Sequence, residues 1–309
     1  VFDKEIPVFH NHNHSHGKGS HTKAFFLGVT FNIIFVMVEI IYGFYADSMA
    51  LIADAGHNFS DVLSLLLAWG ASVLASRPAT EKRTYGFRRV TILASLISSV
   101  LLLVALGGIT LEAVERFSHS QSVKGNIIIL VAGIGVIINT STALLFVSGQ
   151  KHDLNIRGAF LHMAADAGVS LGVVVSGLVI ILTEWVWIDS VISLVIVFII
   201  LIGTWNLLKD SVNLTIDGVP HDVDIIGIKN YLTNLKTVCT IHDLHVWALS
   251  TTETALTVHL TTTLNTIDNN FLKEIQQHLH DSFNIEHATI QIENKDIESG
   301  CRLNRSECI

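Results

Sequence analysis

The sequence predicts a polytopic α-helical membrane protein with six transmembrane helices, followed by a small cytoplasmic α/β domain. Three observations carry this. Six apolar stretches of 22 residues or more fill residues 24–208. Half of the 309 residues are hydrophobic and 15% are charged, against roughly 25% charged in soluble domains. After residue 209 the texture changes to short helical and strand-like patterns in an acidic setting.

The apolar stretches lie at about 24–45, 48–75, 90–111, 126–148, 158–183 and 187–208. Twenty-two residues make roughly 33 Å of helix, enough to cross a bilayer. The connections set an orientation. The 76–89 link carries Arg77, Lys82, Arg83, Arg88 and Arg89, and the 149–157 link carries Lys151 and Arg157. Lys18 and Lys23 precede the first stretch and Lys209 follows the last, whereas the links near Asp47 and at 184–189 have no Lys or Arg. The positive-inside rule then places both termini in the cytoplasm.

The stretches differ in polarity. The first holds Asn32 and Glu39, the second Asp54, His57, Asn58, Ser60, Asp61 and Ser64. The fourth holds Asn139 to Thr142, and the fifth His162, Asp166, Ser170 and Ser176. The third and sixth are mainly Leu, Ile and Val in their central turns. Lipid cannot satisfy polar side chains, so spans one, two, four and five are expected around a polar centre, with three and six apart. Gly168 and Gly172, four residues apart, are expected to allow close helix approach.

Residues 222–236 read as an amphipathic helix after Pro220, and 238–250 and 254–263 as paired strands. A second helix is expected over 267–282, where Ile267, Phe271, Ile275 and Leu279 recur every four residues, and a last strand over 285–293. The order αββαβ predicts a small sheet with helices on one face. The domains are thus a His-rich cytoplasmic tail (1–23), a transmembrane domain (24–208), a cytoplasmic domain (209–293) and a C-terminal tail (294–309). From Asp210 onward there are 6 Lys/Arg against 14 Asp/Glu, whereas residues 1–209 hold 13 of each. An acidic cytoplasmic portion attracts cations and disfavours nucleic acid as a partner. The three cysteines, Cys239, Cys301 and Cys308, are too few and too uneven for a disulfide framework. Cys239 reads as a buried strand residue.

Two four-residue steps hold the chemistry. His57 and Asp61, and His162 and Asp166, each stand at i and i+4 on one helix face, inside a membrane span. A carboxylate at the bilayer centre costs about 3 kcal/mol on insertion scales, so two matched pairs are hard to explain as packing. Facing each other, they offer two imidazoles and two carboxylates, a tetrahedral N/O set that suits Zn2+. Without metal the same groups accept protons. Metal and protons then compete for one site, and alternate exposure of that site to the two sides is antiport. Asp54, three residues before His57, is expected to hydrogen-bond near the span entrance. The N-terminal histidines His10, His12, His14, His16 and His21 are expected to gather metal weakly from a low-complexity tail.

At this point the chain resembles a family. Leu51-Ile-Ala-Asp-Ala-Gly-His-Asn-Phe-Ser-Asp61, Tyr85-Gly-Phe-Arg-Arg89, His162-x-x-x-Asp166 and His242-Asp-Leu-His-Val-Trp247 are similar to signatures of the cation diffusion facilitator family. Ile285-Glu-His-Ala-Thr-Ile-Gln-Ile-Glu293 resembles the ending of its bacterial ZitB/CzcD-like zinc branch. The likeness implies a six-helix transporter with a metallochaperone-like cytoplasmic domain, homodimeric through that domain, in the bacterial inner membrane. It implies Zn2+ export, with Cd2+ or Co2+ as further cargoes, in exchange for protons, and His57 as the position that favours zinc over cadmium. Carried over by motif, the transport ligands are His57, Asp61, His162 and Asp166. His242, His259 and Glu293 match cytoplasmic metal positions, where Zn2+ would regulate or stabilise, with His287 closing the site. His245, three residues from His242 in a strand, is expected on the opposite face. Cys301 and Cys308 are candidates for a C-terminal metal clip. Arg89 resembles a basic position that pairs with an acid near the end of the sixth span, with Asp210 the candidate partner in a latch.

Two rival classes stay open. One is an intramembrane metal hydrolase; the chain has no H-E-x-x-H helix, and four protein ligands leave no open position for water. The other is a membrane-tethered zinc sensor with the cytoplasmic domain as its working part. Metal flux separates transporter from sensor, and an enzyme is not expected.

Overall fold

Among the described residues, eight helices and three strands follow one another as expected, with most boundaries within a few residues. This computed structural model describes residues 21–118, 122–147, 154–262 and 269–294. The helices of the apolar region are α1 (His21–Ala46), α2 (Met49–Ala75), α3 (Val90–Ser118), α4 (Gly125–Phe146), α5 (Leu154–Thr183) and α6 (Trp187–Thr215). Five of these, α2 to α6, are long and apolar enough to cross a membrane, and Ile33–Ala46 of α1 is a shorter apolar helix. Large apolar side chains such as Val104, Leu111, Leu182 and Phe198 stand exposed along them, as lipid-facing surface does.

The chain divides into two compact units. One holds α1, α2 as far as Asn58, α4, α5 and α6 as far as Ile192; the other holds the rest of α2, α3, the rest of α6 and all that follows. The first unit therefore holds spans one, four and five with the start of spans two and six, while Ser60, Asp61 and Ser64 of span two fall in the second.

Helices in lipid gain little from the hydrophobic effect, so close packing has to hold them together. In the first unit, glycines provide it. A Cβ on Gly177 of α5 would lie 2.9 Å from Ile129 Cγ1 and 3.0 Å from the Gly125 carbonyl oxygen of α4. A Cβ on Gly135 of α4 would lie 2.6 Å from the Phe35 ring of α1 and 3.1 Å from Ser170 Oγ of α5. The expected Gly168/Gly172 pair does not serve this purpose: nothing lies within 4 Å of a Cβ at either position. Those two glycines are on the fifth span, but no described residue packs closely over them.

Asp189, in the first turn of α6, fixes the start of α2. Its Oδ1 accepts from Ser48 Oγ at 2.5 Å, and its Oδ2 accepts from the backbone N–H groups of Met49 (2.5 Å) and Ala50 (3.3 Å). Ser48 Oγ in turn accepts from Leu51 N at 3.2 Å. A buried carboxylate thus satisfies the first free N–H groups of a helix, where the helix dipole also favours negative charge.

In the second unit, serine pairs join the helices: Ser64 with Ser98 (2.5 Å) between α2 and α3, and Ser95 with Ser211 (2.8 Å) between α3 and α6. The α2–α3 link is folded rather than extended. Gly86 adopts φ +69°, and a Cβ there would lie 3.2 Å from the Arg77 carbonyl oxygen. Arg83 covers the Phe87 ring at 4.5 Å.

The cytoplasmic domain is α7 (Ile225–Thr233), β1 (Val238–Ala248), β2 (Thr254–Thr262), α8 (Asn269–Phe283) and β3 (Ile285–Asn294). Helix α7 is shorter than the expected 222–236 because Asp224 caps it, accepting from Gly227 N at 2.9 Å. The sheet order is β1-β2-β3; β1 pairs antiparallel with β2, and β2 pairs parallel with β3 across the α8 crossover. Ile228 and Leu232 of α7, Ile275 and Leu279 of α8, and Leu244, Val246, Leu256, Val258 and Leu260 of the sheet form one core. Both helices therefore cover one sheet face, and alternation leaves Thr257, His259 and Thr261 on the other. Cys239 is half-buried on β1 rather than in the core.

Gly177→Leu is expected to cost roughly 1–3 kcal/mol through overpacking of the α4–α5 contact, whereas Gly172→Leu leaves stability near wild type. Thermal unfolding of the detergent-purified protein, followed by a fluorescent thiol or scattering probe, compares them.

Candidate metal centre

In the first unit, α2 and α5 bring His57, His162 and Asp166 together. His57 Nε2 lies 3.2 Å from Asp166 Oδ1. His162 Nε2 lies 3.7 Å from Asp166 Oδ2. The two rings are 6.0 Å apart, nearly perpendicular at 73°. Two imidazole nitrogens from different helices thus address the two oxygens of one carboxylate. The Asp166 side chain is 2% exposed, His57 17% and His162 43%, so the group is closed on the Asp166 side and open at His162. Asp61 stands one helical turn beyond His57 on the same face of α2.

The His/Asp group has a polar lining. Asn58 Nδ2 donates to Glu39 Oε2 of α1 at 3.0 Å. Asp54 Oδ2 accepts from Ser170 Oγ at 2.9 Å, one turn beyond Asp166 on α5. Asp54 is a hydrogen-bonding group that ties α2 to α5. Glu39, Asp54 and Asn139 are fully buried.

A second cluster sits on the sheet face that the helices leave open. His242 and His259 are register partners on β1 and β2, with rings 5.1 Å apart. Glu293 of β3 reaches both, with Oε2 3.4 Å from His242 Nε2 and Oε1 3.2 Å from His259 Nδ1. One ligand atom from each of the three residues lies within 4.8 Å of the others. Two imidazoles and a carboxylate are a donor set that zinc accepts.

With both clusters described, comparison with known proteins decides the family. Residues 25–214 match the family model of the cation efflux transmembrane domain, and residues 220–295 match that of the cation efflux protein cytoplasmic domain. The chain belongs to the cation efflux family. Among curated relatives, it is 36% identical over 286 residues to the metal cation efflux system protein CzcD of Cupriavidus metallidurans, covering 92% of this chain and 89% of that one. It is 32% identical over 292 residues to the cadmium, cobalt and zinc/H(+)-K(+) antiporter of Bacillus subtilis (93% and 92%), and 35% identical over 273 residues to the zinc transporter ZitB of Escherichia coli (87% and 87%).

This cation diffusion facilitator places several motif residues differently from expectation. His287 does not close the cytoplasmic cluster. It lies six residues before Glu293 on β3, edge-on to Tyr85 at 5.6 Å. Arg89 pairs with Asp217, one helical turn and a bend beyond Asp210, and Asp210 pairs with His221 at 2.9 Å. The latch between the α2–α3 link and the end of α6 is thus made by a different acid from the one expected. Arg88 adds an ion pair to Glu253 at 2.9 Å, and Thr91 Oγ1 accepts from Thr251 N at 3.1 Å. Cys301, Cys308 and the N-terminal histidines His10 to His16 lie outside the described residues.

Nor is His245 on the face opposite His242. The register moves three residues on β1, from His242 to His245, against two on β2, from His259 to Thr257. A bulge at Asp243, with φ 52°, absorbs the extra residue and returns His245 to the open face. There it pairs with Asp243 Oδ1 at 2.9 Å, while Asp243 Oδ2 stands 3.6 Å from His259 Nε2. Asp243 and Asp189 are the residues that sequence reasoning overlooked. Asp243 between two histidines in a strand, and Ser48 just before an apolar helix, were the available signals.

Combined His259→Ala and Glu293→Gln substitution is expected to lower the zinc bound per purified protein while the His57/Asp166 group keeps its share. Elemental analysis after gel filtration reads the ratio, and an unchanged ratio excludes the cytoplasmic cluster as a metal site.

Proposed function

We propose that this cation efflux protein is a proton-coupled antiporter that exports Zn2+, with Cd2+ or Co2+ as lesser cargoes, from the cytoplasm. The transport ligands are His57, Asp61, His162 and Asp166, and the site opens alternately to the two sides of the bacterial inner membrane. The carrying observation is the pair of imidazole nitrogens set against the two oxygens of buried Asp166. Asp61 adds the fourth ligand from the same face of α2.

A divalent cation between these groups replaces the His57–Asp166 hydrogen bond and the longer His162–Asp166 contact. Two carboxylates balance its charge in a medium that disfavours net charge. When the cation leaves, the same atoms accept protons, so the empty carrier returns close to neutral. The relatives in Bacillus subtilis and Escherichia coli, a cadmium, cobalt and zinc antiporter and a zinc transporter, support the cargo class. Both termini lie in the cytoplasm on this reading, where the acidic domain meets incoming metal. Two copies associate through the cytoplasmic domain, with the surrounding lipid as the other partner, and Zn2+ at His242/His259/Glu293 steadies that domain.

In vesicles containing the purified protein, Zn2+ uptake is expected to rise with an opposing pH gradient and to slow when the gradient is collapsed. Uptake indifferent to the gradient points to uniport. Asp61→Ala abolishes flux with an intact cytoplasmic domain, which a pure sensor does not predict. His57→Asp shifts the Zn/Cd uptake ratio toward Cd2+, because an oxygen-rich site loses the imidazole that favours zinc.

A further inference from the structure

Beside the His57–Asp166 pair, the first unit encloses a second set of oxygens. Glu39 of α1 and Asp54 of α2 are fully buried, and Asn58 is 1% exposed. Asp54 and Asn58 stand one helical turn apart on one face of α2, and Glu39 of α1 reaches that face through Asn58. One oxygen of each is satisfied, Glu39 Oε2 by Asn58 Nδ2 and Asp54 Oδ2 by Ser170 Oγ. The other oxygens, Glu39 Oε1 and Asp54 Oδ1, have no hydrogen-bond donor among the described residues, and neither has Asn58 Oδ1. Every unsatisfied atom of the group is therefore an acceptor. The helices around it carry no lysine or arginine among the residues whose side chains are described.

Buried acceptors left without a donor, two of them on carboxylates, are stabilised by positive charge placed beside them. We propose that Glu39, Asp54 and Asn58 Oδ1 form a second, oxygen-only cation site that takes a hard monovalent cation, either a proton or an alkali ion, as a further counter-ion beside the protons that the zinc ligands accept. This rests on the antiport reading and deepens it. Oxygen donors favour hard cations, while the imidazoles next door favour zinc, so the two sites divide the ions by chemistry.

They are also joined mechanically. Asn58 follows His57 on α2, and Ser170 stands one turn from Asp166 on α5. Occupancy of one site therefore biases the helix pair that builds the other. Besides Glu39 of α1 and Asp54 of α2 themselves, the ionisable groups that act on this site are His57 of α2 and Asp166 of α5.

The test uses the whole chain. Zn2+ affinity is titrated in detergent at constant ionic strength while K+, Na+ or pH is varied, for wild type, Glu39→Gln and Asp54→Asn. Counter-ions moved per Zn2+ are then measured in vesicles. Wild-type affinity is expected to fall several-fold with rising counter-cation, and either variant flattens that dependence while still binding Zn2+. Dependence on K+ or Na+ identifies an alkali ion, and dependence on pH alone identifies a proton. Wild-type dependence in both variants overturns the site. Loss of Zn2+ binding in both, with unfolding behaviour unchanged, also overturns it, because the carboxylates then belong to the zinc site. Vesicles that move Zn2+ without any counter-ion sink the antiport reading, while the binding titration still decides whether the second site exists.

Discussion

Asp166 is a carboxylate held almost entirely out of water inside an apolar helix bundle, and the rest of the centre is arranged to answer its charge. Removing such a group from water costs several kcal/mol unless a positive or hydrogen-bonding partner replaces the solvent. Here the partners are imidazole nitrogens, which are indifferent enough to release it. His57 and His162 approach opposite oxygens at 3.2 and 3.7 Å, one near and one long. A group held by two moderate contacts is stable in their company and better satisfied by a divalent cation.

Helix packing decides whether these side chains can meet. With no hydrophobic drive between helices in lipid, α4 and α5 are held by backbone contact at Gly125 and Gly177, and α1 enters where Gly135 leaves room for the Phe35 ring. Asp189 sets the start of α2 from α6. The histidine-bearing helices are thus fixed by contacts distant from the metal ligands.

The cytoplasmic domain solves a different problem. A three-stranded sheet covered by two helices has one face left over, and on that face parity alone sets which side chains converge. A bulge at Asp243 breaks the parity and adds a carboxylate beside His259. Within the same unit, Arg88, Arg89 and Thr91 at the start of α3 hold Glu253, Asp217 and Thr251. The turn that joins β1 to β2, the strands carrying His242 and His259, therefore holds the contacts with the start of α3.

Local information determined a good deal. Hydropathy placed the helices, alternation placed the strands, and the i, i+4 spacing of histidine and aspartate put each pair on one helix face, because these signals arise between near neighbours in the chain. Legible in the same way was the division into polar spans and greasy ones. Contacts between residues far apart in sequence left no such trace. Which glycines touch, which acid answers Arg89, that Asp189 caps a helix some 140 residues earlier, and that His287 faces Tyr85 instead of the histidine cluster are all outcomes of packing. Several candidates of equal chemistry were available to the chain in each case, and only the three-dimensional arrangement of helices and strands chose among them.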